Sequence, residues 1–318
     1  MNLINGSRKL TRRRVVRAVL LPAALLALVA CGGDAVTEAV ADATPGTVLE
    51  ASTGTQAAVV QLVAASSDLS VGGNRFVFGL LDSESGPVRE TDVQVSTFYL
   101  KGSVLEGPKE EVGAVFRKWP VGPTGIYTAQ LSFDMSGNWG IGVAITGPDG
   151  VVRRGTTMIR IKEASATPAI GSPVPHSVSK ISGNPASLAA ITSDLEPDPE
   201  LYKLTVADAI DAGVPLMLVF ASPAYCQSAT CGPQVEVVKA LRKKYEDRAS
   251  FIHVEVYDNP QEIQGDLSRA RISPTLTEWN LPSEPWTFIV DSDGLLHAKF
   301  EAFATGEELE KALVEVLP

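Results

Sequence analysis

The chain has 318 residues, enough for two domains of ordinary size with connecting segments. Its charged fraction is ordinary for a soluble protein. The 27 basic and 37 acidic residues give a formal charge of −10, and this acidic excess argues against nucleic acid as a partner.

Residues 1–30 have the pattern of an export signal. They contain no acidic residue and six basic ones: Arg8, Lys9, Arg12, Arg13, Arg14 and Arg17. An apolar run over 18–30 follows, and it is too short to remain as a membrane span. The stretch "TRRRVVR" at 11–17 resembles a twin-arginine export signal, and a simple basic region is the alternative. Removing residues 1–30 leaves 21 basic and 37 acidic residues, a formal charge of −16.

The sequence "LVAC" at 28–31, followed by two glycines, resembles a bacterial lipobox. In that motif the cysteine, here Cys31, is acylated and becomes the mature N-terminus. Because each buried methylene contributes ~0.8 kcal/mol, two or three acyl chains anchor a protein firmly. We therefore predict a protein attached by lipid to the extracytoplasmic face of the cell membrane. The alternative is a plain signal peptide with a chance cysteine.

Residues 31–55 are small, polar and acidic, which predicts a flexible tether.

Residues 56–163 alternate between apolar and polar side chains with a period of two, which predicts many short strands. The clearest segments are 76–80, 93–99, 127–133, 139–145 and 157–161, and "GPDG" at 147–150 predicts a hairpin turn. This pattern predicts an all-β antiparallel sandwich. The stretch "GIYTAQLSFDMSGNWGIGVAI" resembles the late strands of immunoglobulin-like domains of the YtkA-like type. The resemblance covers about a third of 56–163 and implies a spacer or docking module.

Residues 164–200 are rich in Pro, Ser, Ala and Thr, which predicts a flexible linker stiffened locally by proline.

Residues 201–318 then predict the order helix, strand, helix, strand, strand, strand, helix. Thr205 and Asp208 have the spacing of a helix N-cap pair, and the apolar run 215–220 predicts a strand buried on both faces. A parallel strand pair, an antiparallel hairpin and a closing helix together predict an α/β layer fold.

Two cysteines lie in "FASPAYCQSATCGPQ" at 220–234, between a predicted strand and a predicted helix. On a single helix, residues five apart are separated by ~7.5 Å of rise and about 500° of rotation. Such cysteines point apart, so a disulfide requires Cys226 to lie in a loop that folds back on Cys231. A helix N-terminus lowers the pKa of a thiol, which predicts that Cys231 has the lower pKa. Which of the two sulfurs attacks stays open.

The same segment resembles the active-site region of the thioredoxin superfamily, in which an aromatic residue precedes Cys-Gly-Pro-Cys. Downstream, "EPWTFIVDSDG" is similar to the strand of that family that is entered through a cis-proline. The resemblance covers nearly all of residues 201–318. It implies exchange at the two cysteines and a group of substrate-positioning residues: Gly232, Pro233, Glu284, Pro285 and Trp286.

This chain also departs from the family pattern. Counted from the preceding strand, Cys226 falls at the first cysteine of the family motif. Counted from the following helix, Cys231 falls at that position instead, and Gln234 then occupies the place of the second cysteine. Glu284 is unusual beside a thiol, because a carboxylate raises the pKa of a thiol. Trp279 and Trp286 either line a groove or pack in the core. Residues 258–280 form an excursion that could cover the site and select a partner.

These features predict a thiol–disulfide oxidoreductase that acts on exported proteins carrying thiols or disulfides, with no cofactor and no bound metal. One alternative is a binding or scaffold lipoprotein with a structural disulfide. Another is copper handling of the Sco type, which uses two cysteines and a histidine. His253 and His297 do not occupy the matching place, but two thiolates alone could hold Cu(I).

Overall fold

A computed structural model describes residues 59–83, 85–119, 123–147, 149–226 and 228–318. The signal peptide at 1–30, Cys31 and the tether at 31–55 lie outside the described residues. All described residues belong to one unit of the chain, Thr55–Pro318. Within the described ranges, no helix has both the length and the apolar character needed to cross a membrane.

The first part of the described chain forms an eight-stranded antiparallel sheet. The strands are β1 (Val60–Ala64), β2 (Gly72–Asp82), β3 (Gly86–Pro87), β4 (Val93–Lys101), β5 (Val104–Lys118), β6 (Gly125–Phe133), β7 (Gly137–Thr146) and β8 (Val152–Ile161). Their order in the sheet is β1-β2-β6-β5-β4-β7-β8, and the short β3 pairs with β2. The five segments predicted from alternation correspond to β2, β4, β6, β7 and β8.

The eight-stranded sheet curls around its own core, because β5 changes partner along its length. Its first part pairs with β4 as far as Ala114, and its last four residues pair with β6. The two edges of the sheet then meet where Val59 bridges Arg154. The alternate residues that face inward are buried, including a group of aromatic side chains: Phe76, Phe78, Tyr127, Phe133 and Trp139. The immunoglobulin-like classification stays a prediction.

The second part forms a four-stranded sheet with helices. Its elements are α1 (Val206–Asp211), β9 (Leu216–Ala221), α2 (Cys231–Tyr245), β10 (Ser250–Glu255), α3 (Pro260–Ile263), α4 (Pro274–Glu278), β11 (Trp286–Val290), β12 (Leu296–Glu301) and α5 (Gly306–Val314). The strand order in the sheet is β10-β9-β11-β12. Strands β9 and β10 are parallel, whereas β11 is antiparallel to both of its neighbours. The predicted order of strands and helices is present, with two short helices added in the excursion at 258–280.

Helices cover both faces of this sheet, so every residue of β9 is buried. Helices α2 and α5 share one apolar cluster with Met217 and Val219, while α1 belongs to the cluster on the opposite face. The predicted N-cap of α1 is present: the Thr205 hydroxyl accepts from the Asp208 backbone N–H, and the Asp208 carboxylate accepts from the Thr205 backbone N–H. This packing fixes the junction between β9 and α2.

The prediction of a flexible linker at 164–200 is wrong. Short 3₁₀ helices occupy Pro185–Ala190 and Pro199–Tyr202. The Asp194 and Asp198 carboxylates pair with Lys239 and Arg242 of α2 at 2.6 and 2.7 Å. The composition suggested a solvated chain, but these ion pairs and buried residues such as Leu188 hold the segment against the four-stranded sheet.

The two sheets contact each other through Arg75 of β2. Its Nε lies 3.0 Å from Oε1 of Glu308, and its Nη atoms donate to the backbone carbonyls of Glu301 and Phe303 at 2.9 and 2.8 Å. Burial alone would raise the pKa of Glu308, but the Arg75 guanidinium outweighs it and keeps this pKa below its ordinary value. The pair is therefore charged where the sheets meet.

Candidate functional site

Cys226 and Cys231 form a disulfide at the junction of β9 and α2, with a Cα–Cα distance of 5.9 Å. Cys231 is the first residue of α2, while Cys226 lies in the preceding loop, as the spacing predicted. The backbone N–H of Cys226 donates to the Ser222 carbonyl at 3.0 Å. Ala229 has a φ of +57°, in the left-handed region, and this lets the loop turn back towards the helix.

The two sulfurs differ in access. Cys231 is completely buried in the apolar cluster beneath α2 and α5, whereas Cys226 is only partly buried. The Ser228 hydroxyl lies 3.1 Å from Cys226 Sγ. A sulfur of another molecule can therefore reach Cys226 before Cys231. Burial also opposes the effect of the helix N-terminus on Cys231, because an apolar surrounding disfavours a thiolate.

The carboxyl group of Glu284 lies beside the disulfide, with Oε2 3.6 Å from Cys231 Sγ. Burial raises the pKa of Glu284 to about 7, and the nearby Glu255 carboxylate adds to this, while the Ser222 backbone N–H donates to the carboxylate and opposes it. The Glu284–Pro285 peptide bond is cis, as the resemblance implied. The site therefore holds a carboxyl group that titrates near neutral pH against a buried sulfur.

The resemblance implied a substrate-positioning role for Trp286, and the sequence left open whether its side chain lines a groove or packs in the core. Only 2% of its surface is exposed, its ring stacks on Phe288, and its Nε1 donates to the Ser283 hydroxyl at 3.0 Å. It is the first residue of β11, a strand buried along its whole length. Its side chain therefore packs in the core, and Trp279 is fully buried there too. A tryptophan in an apolar strand gives no sequence signal that separates these two positions.

Gly232 and Pro233 lie in the first turn of α2, and both are half-buried. The next residue, Gln234, is fully buried, and its Oε1 accepts from the Ala304 backbone N–H at 2.7 Å. The residue that replaces a second cysteine therefore joins α2 to the loop before α5. Local sequence gives no signal for this contact, because the two residues lie seventy positions apart.

The excursion at 258–280 borders the site. Together with the segment before Pro285 it forms a mainly apolar groove of about 390 Å³ that ends at Glu284. The groove is lined by Val256, Ile272, Leu276, Leu281 and Pro282, among others. Neither cysteine is among its lining residues, and the expectation that the excursion covers the site and selects a partner stays a prediction.

Three possible metal ligands lie together at the site. One atom each from Cys226, Cys231 and Glu284 falls within 4.8 Å of the others, but in the disulfide the two sulfurs are bonded to each other. Both histidines of the earlier copper argument lie elsewhere. His253 is buried, with Nδ1 2.6 Å from the Tyr202 hydroxyl, and His297 contacts Glu315.

Comparison with known proteins adds little to this geometry. No protein-family model matches the chain, and no curated protein matches it. The chain is similar to a crystal structure described as a thiol:disulfide interchange protein, DsbE, from Chlorobium tepidum. Sequence identity is 13%, the TM-score is 0.33, and the match covers 47% of this chain and 99% of the other. A score this low does not establish a shared fold.

Proposed function

We propose that this protein is an extracytoplasmic thiol–disulfide oxidoreductase with a thioredoxin-like α/β part. The observation that carries the proposal is the Cys226–Cys231 disulfide at the β9–α2 junction, with a titratable carboxyl 3.6 Å from the buried sulfur. The strand order β10-β9-β11-β12 and the helices on both faces of the sheet support the thioredoxin-like assignment.

A purely structural disulfide explains this arrangement less well. Closing so short a loop contributes roughly 2–3 kcal/mol to stability. The four-stranded sheet already has two apolar clusters, one on each face. A structural disulfide also gives no reason to bury the Glu284 carboxyl next to the sulfur of Cys231, because this burial costs desolvation free energy. Exchange chemistry gives that carboxyl a role.

The difference in access assigns the two sulfurs their steps. A thiolate of the partner attacks Cys226 Sγ, the bond between the Cys226 and Cys231 sulfurs breaks, and its electron pair leaves with Cys231. The partner and Cys226 are then joined in a mixed disulfide. A second partner thiol displaces Cys226, so the partner loses two electrons and the cysteine pair gains them. Reduction of a partner disulfide follows the same steps in reverse.

Glu284 supplies the proton that the leaving sulfur needs. Because its pKa is raised to about 7, the carboxyl is protonated below that pH and can donate to the Cys231 thiolate as it forms. Above pH 7 the group is a carboxylate, which cannot donate and which repels the thiolate. Reduction of the disulfide should therefore slow as the pH rises through 7. In the reverse direction, the carboxylate accepts the proton of the Cys231 thiol.

We expect Glu284→Gln to remove this pH dependence. The measurement is the rate constant for reduction of the purified protein by dithiothreitol, expressed per dithiothreitol thiolate, from about pH 6 to about pH 8. The wild-type value should fall with a midpoint near 7. The Glu284→Gln value should be flat and, at the lower pH, smaller by about tenfold or more.

The control for this experiment is Glu307→Gln, which changes an exposed carboxylate on α5. Its profile should match that of the wild type. A wild-type disulfide that dithiothreitol does not reduce would exclude exchange. Identical profiles for wild type and Glu284→Gln would remove Glu284 from the proton transfer.

The same proposal includes the membrane anchor and the partners. The lipobox-like sequence before Cys31 supports a lipid anchor on the extracytoplasmic face, and the substrates are then exported proteins with thiols or disulfides. The immunoglobulin-like assignment of 56–163 belongs to this proposal as well. Mass spectrometry of the mature N-terminus tests the anchor: an acylated Cys31 is expected, and an unmodified one would remove it.

Metal binding is a second candidate, favoured by the three donor atoms at the site. Once the pair is reduced, two thiolates suit Cu(I), while the Glu284 carboxylate is a donor that Zn²⁺ also accepts. Titration of the reduced protein with one equivalent of Cu(I) tests this candidate. Absence of binding would dismiss copper handling, and binding that requires both cysteines would support it.

A further inference from the structure

The carboxylate of Glu301, at the end of β12, joins the two sheets and contacts the residue that precedes Glu284. Only 7% of Glu301 is exposed. From the side of the eight-stranded sheet it accepts the backbone N–H of Ser67 at 2.9 Å, the Ser67 hydroxyl, and the backbone N–H of Asp68 at 3.3 Å. From the other side it accepts the Ser283 hydroxyl at 2.6 Å.

These bonds hold the short segment that carries Glu284 and Pro285. Ser283 directly precedes Glu284, and its hydroxyl also accepts from Trp286 Nε1. The carbonyl of Pro285 accepts from the backbone N–H of Ala302 at 2.9 Å, next to Glu301. The segment is therefore fixed on both sides of the Glu284 side chain, and both attachments run to the end of β12.

The eight-stranded sheet also holds that end of β12. Arg75 donates to the backbone carbonyl of Glu301 at 2.9 Å and to that of Phe303 at 2.8 Å. Trp119, which follows β5, packs edge-on against Phe303 with ring centroids 6.4 Å apart. A sheet that served only as a spacer would not need buried polar contacts to this particular loop.

We propose that Glu301 is a positioning residue for the exchange site, through which the eight-stranded sheet fixes the segment 283–285 and keeps the Glu284 carboxyl against Cys231. This inference rests on the proposed function. It replaces the interpretation of residues 56–163 as a spacer with a role in the site itself.

The surroundings of the two carboxyl groups, Glu284 and Glu301, set the direction in which the pKa of Glu284 should change. Glu284 faces Glu255 at the end of β10, Tyr257, and the disulfide. Glu301 lies within the fields of Arg75 and Lys299, and its contact to Asp68 is through the Asp68 backbone. If the segment loosens, Glu284 gains solvent, and its pKa falls towards its ordinary value because burial is what raises it.

Glu301→Gln tests the inference, because the amide keeps the shape but supplies one acceptor oxygen in place of two. We expect the midpoint for titration of the Glu284 carboxyl, followed by NMR in the oxidised protein, to fall by about 0.5 pH unit or more. The midpoint of the dithiothreitol profile should fall with it. Ser67→Ala removes only hydroxyl contacts and should shift both midpoints in the same direction by less.

The matched control is Thr205→Ala, which removes the N-cap of α1 and costs about 1 kcal/mol without touching this segment. It should leave both midpoints unchanged. An unchanged Glu284 titration in folded Glu301→Gln and in Ser67→Ala would overturn the inference. The NMR titration needs no exchange reaction, so that result differs from a failure of the proposed function, in which the disulfide itself resists dithiothreitol.

Discussion

Arg75→Ala should lower the free energy of unfolding by about 3–5 kcal/mol, because it leaves the buried Glu308 without its main partner. The side chains of Arg75 and Glu308 are only 7% and 11% exposed. The substitution also removes donors to the carbonyls of Glu301 and Phe303, and both lie in the contact between the sheets. Arg117, 3.3 Å from Glu308, replaces only part of this charge. Urea denaturation at neutral pH measures the loss.

Two further variants complete this experiment. Lys203→Ala breaks an ion pair with Glu200 in which both side chains are exposed, and it should cost less than about 1 kcal/mol. Adding Glu308→Gln to Arg75→Ala should recover part of the lost stability, because the unpaired charge disappears. A loss below about 1 kcal/mol in Arg75→Ala would contradict the contact between the sheets described here.

Cys231→Ser and Cys226→Ser should behave very differently towards a disulfide. Cys231→Ser retains the accessible sulfur of Cys226, so it should form a mixed disulfide with oxidised glutathione and accumulate it, because the resolving thiol is missing. Cys226→Ser retains only the fully buried sulfur of Cys231, beside a carboxyl group. Its reaction should be slower by about 100-fold or more, because exchange needs an accessible thiolate. Mass spectrometry of samples quenched with acid follows both reactions.

The two variants serve as controls for each other, because each removes one sulfur from the same loop. Circular dichroism checks that both remain folded. Equal rates, or faster reaction of Cys226→Ser, would contradict the assignment of the attacking sulfur. In that case the lower pKa expected for a thiol at the helix N-terminus would outweigh its burial.

Alternation of apolar and polar residues predicted strands of the eight-stranded sheet that have one buried face, and the apolar run 215–220 predicted β9, which is buried on both faces. Strand β6 alternates cleanly between buried and exposed residues over its second half, from Ala129 to Phe133. Strand β5 was missed because every one of its residues is exposed or only partly buried. Its alternation is confined to the second half, where Val112, Ala114 and Phe116 are partly buried. Local sequence shows burial on one face well, and it shows strands that are held mainly by backbone hydrogen bonds poorly.

The candidate site was predicted where its geometry is local. The spacing of Cys226 and Cys231 sufficed to place one in a loop and the other at the start of a helix. Glu284 was named, but the rise in its pKa depends on Glu255 and on burial beneath other segments. Glu301 was not found, because its partners at Ser67 and Ser283 lie far apart in the chain.

The prediction of a flexible linker at 164–200 was wrong for a related reason. Pro, Ser and Thr are typical of linkers, and their composition gives no information about partners. In the folded chain Ser165 and Thr167 donate to the buried carboxylate of Asp68, and Asp194 pairs with Lys239. A single sequence shows the acidic and basic residues but not which of them meet.

The reduction potential of the Cys226–Cys231 pair distinguishes an exchange site from a structural disulfide. The purified protein is equilibrated with glutathione or dithiothreitol buffers of known redox potential. Thiol trapping in each buffer then gives the reduced fraction, and from it the reduction potential of the pair. We expect a potential above about −300 mV, with Cys226 the sulfur that appears in the mixed disulfide. A potential below about −300 mV, or a pair that neither buffer reduces, would show that the disulfide is structural.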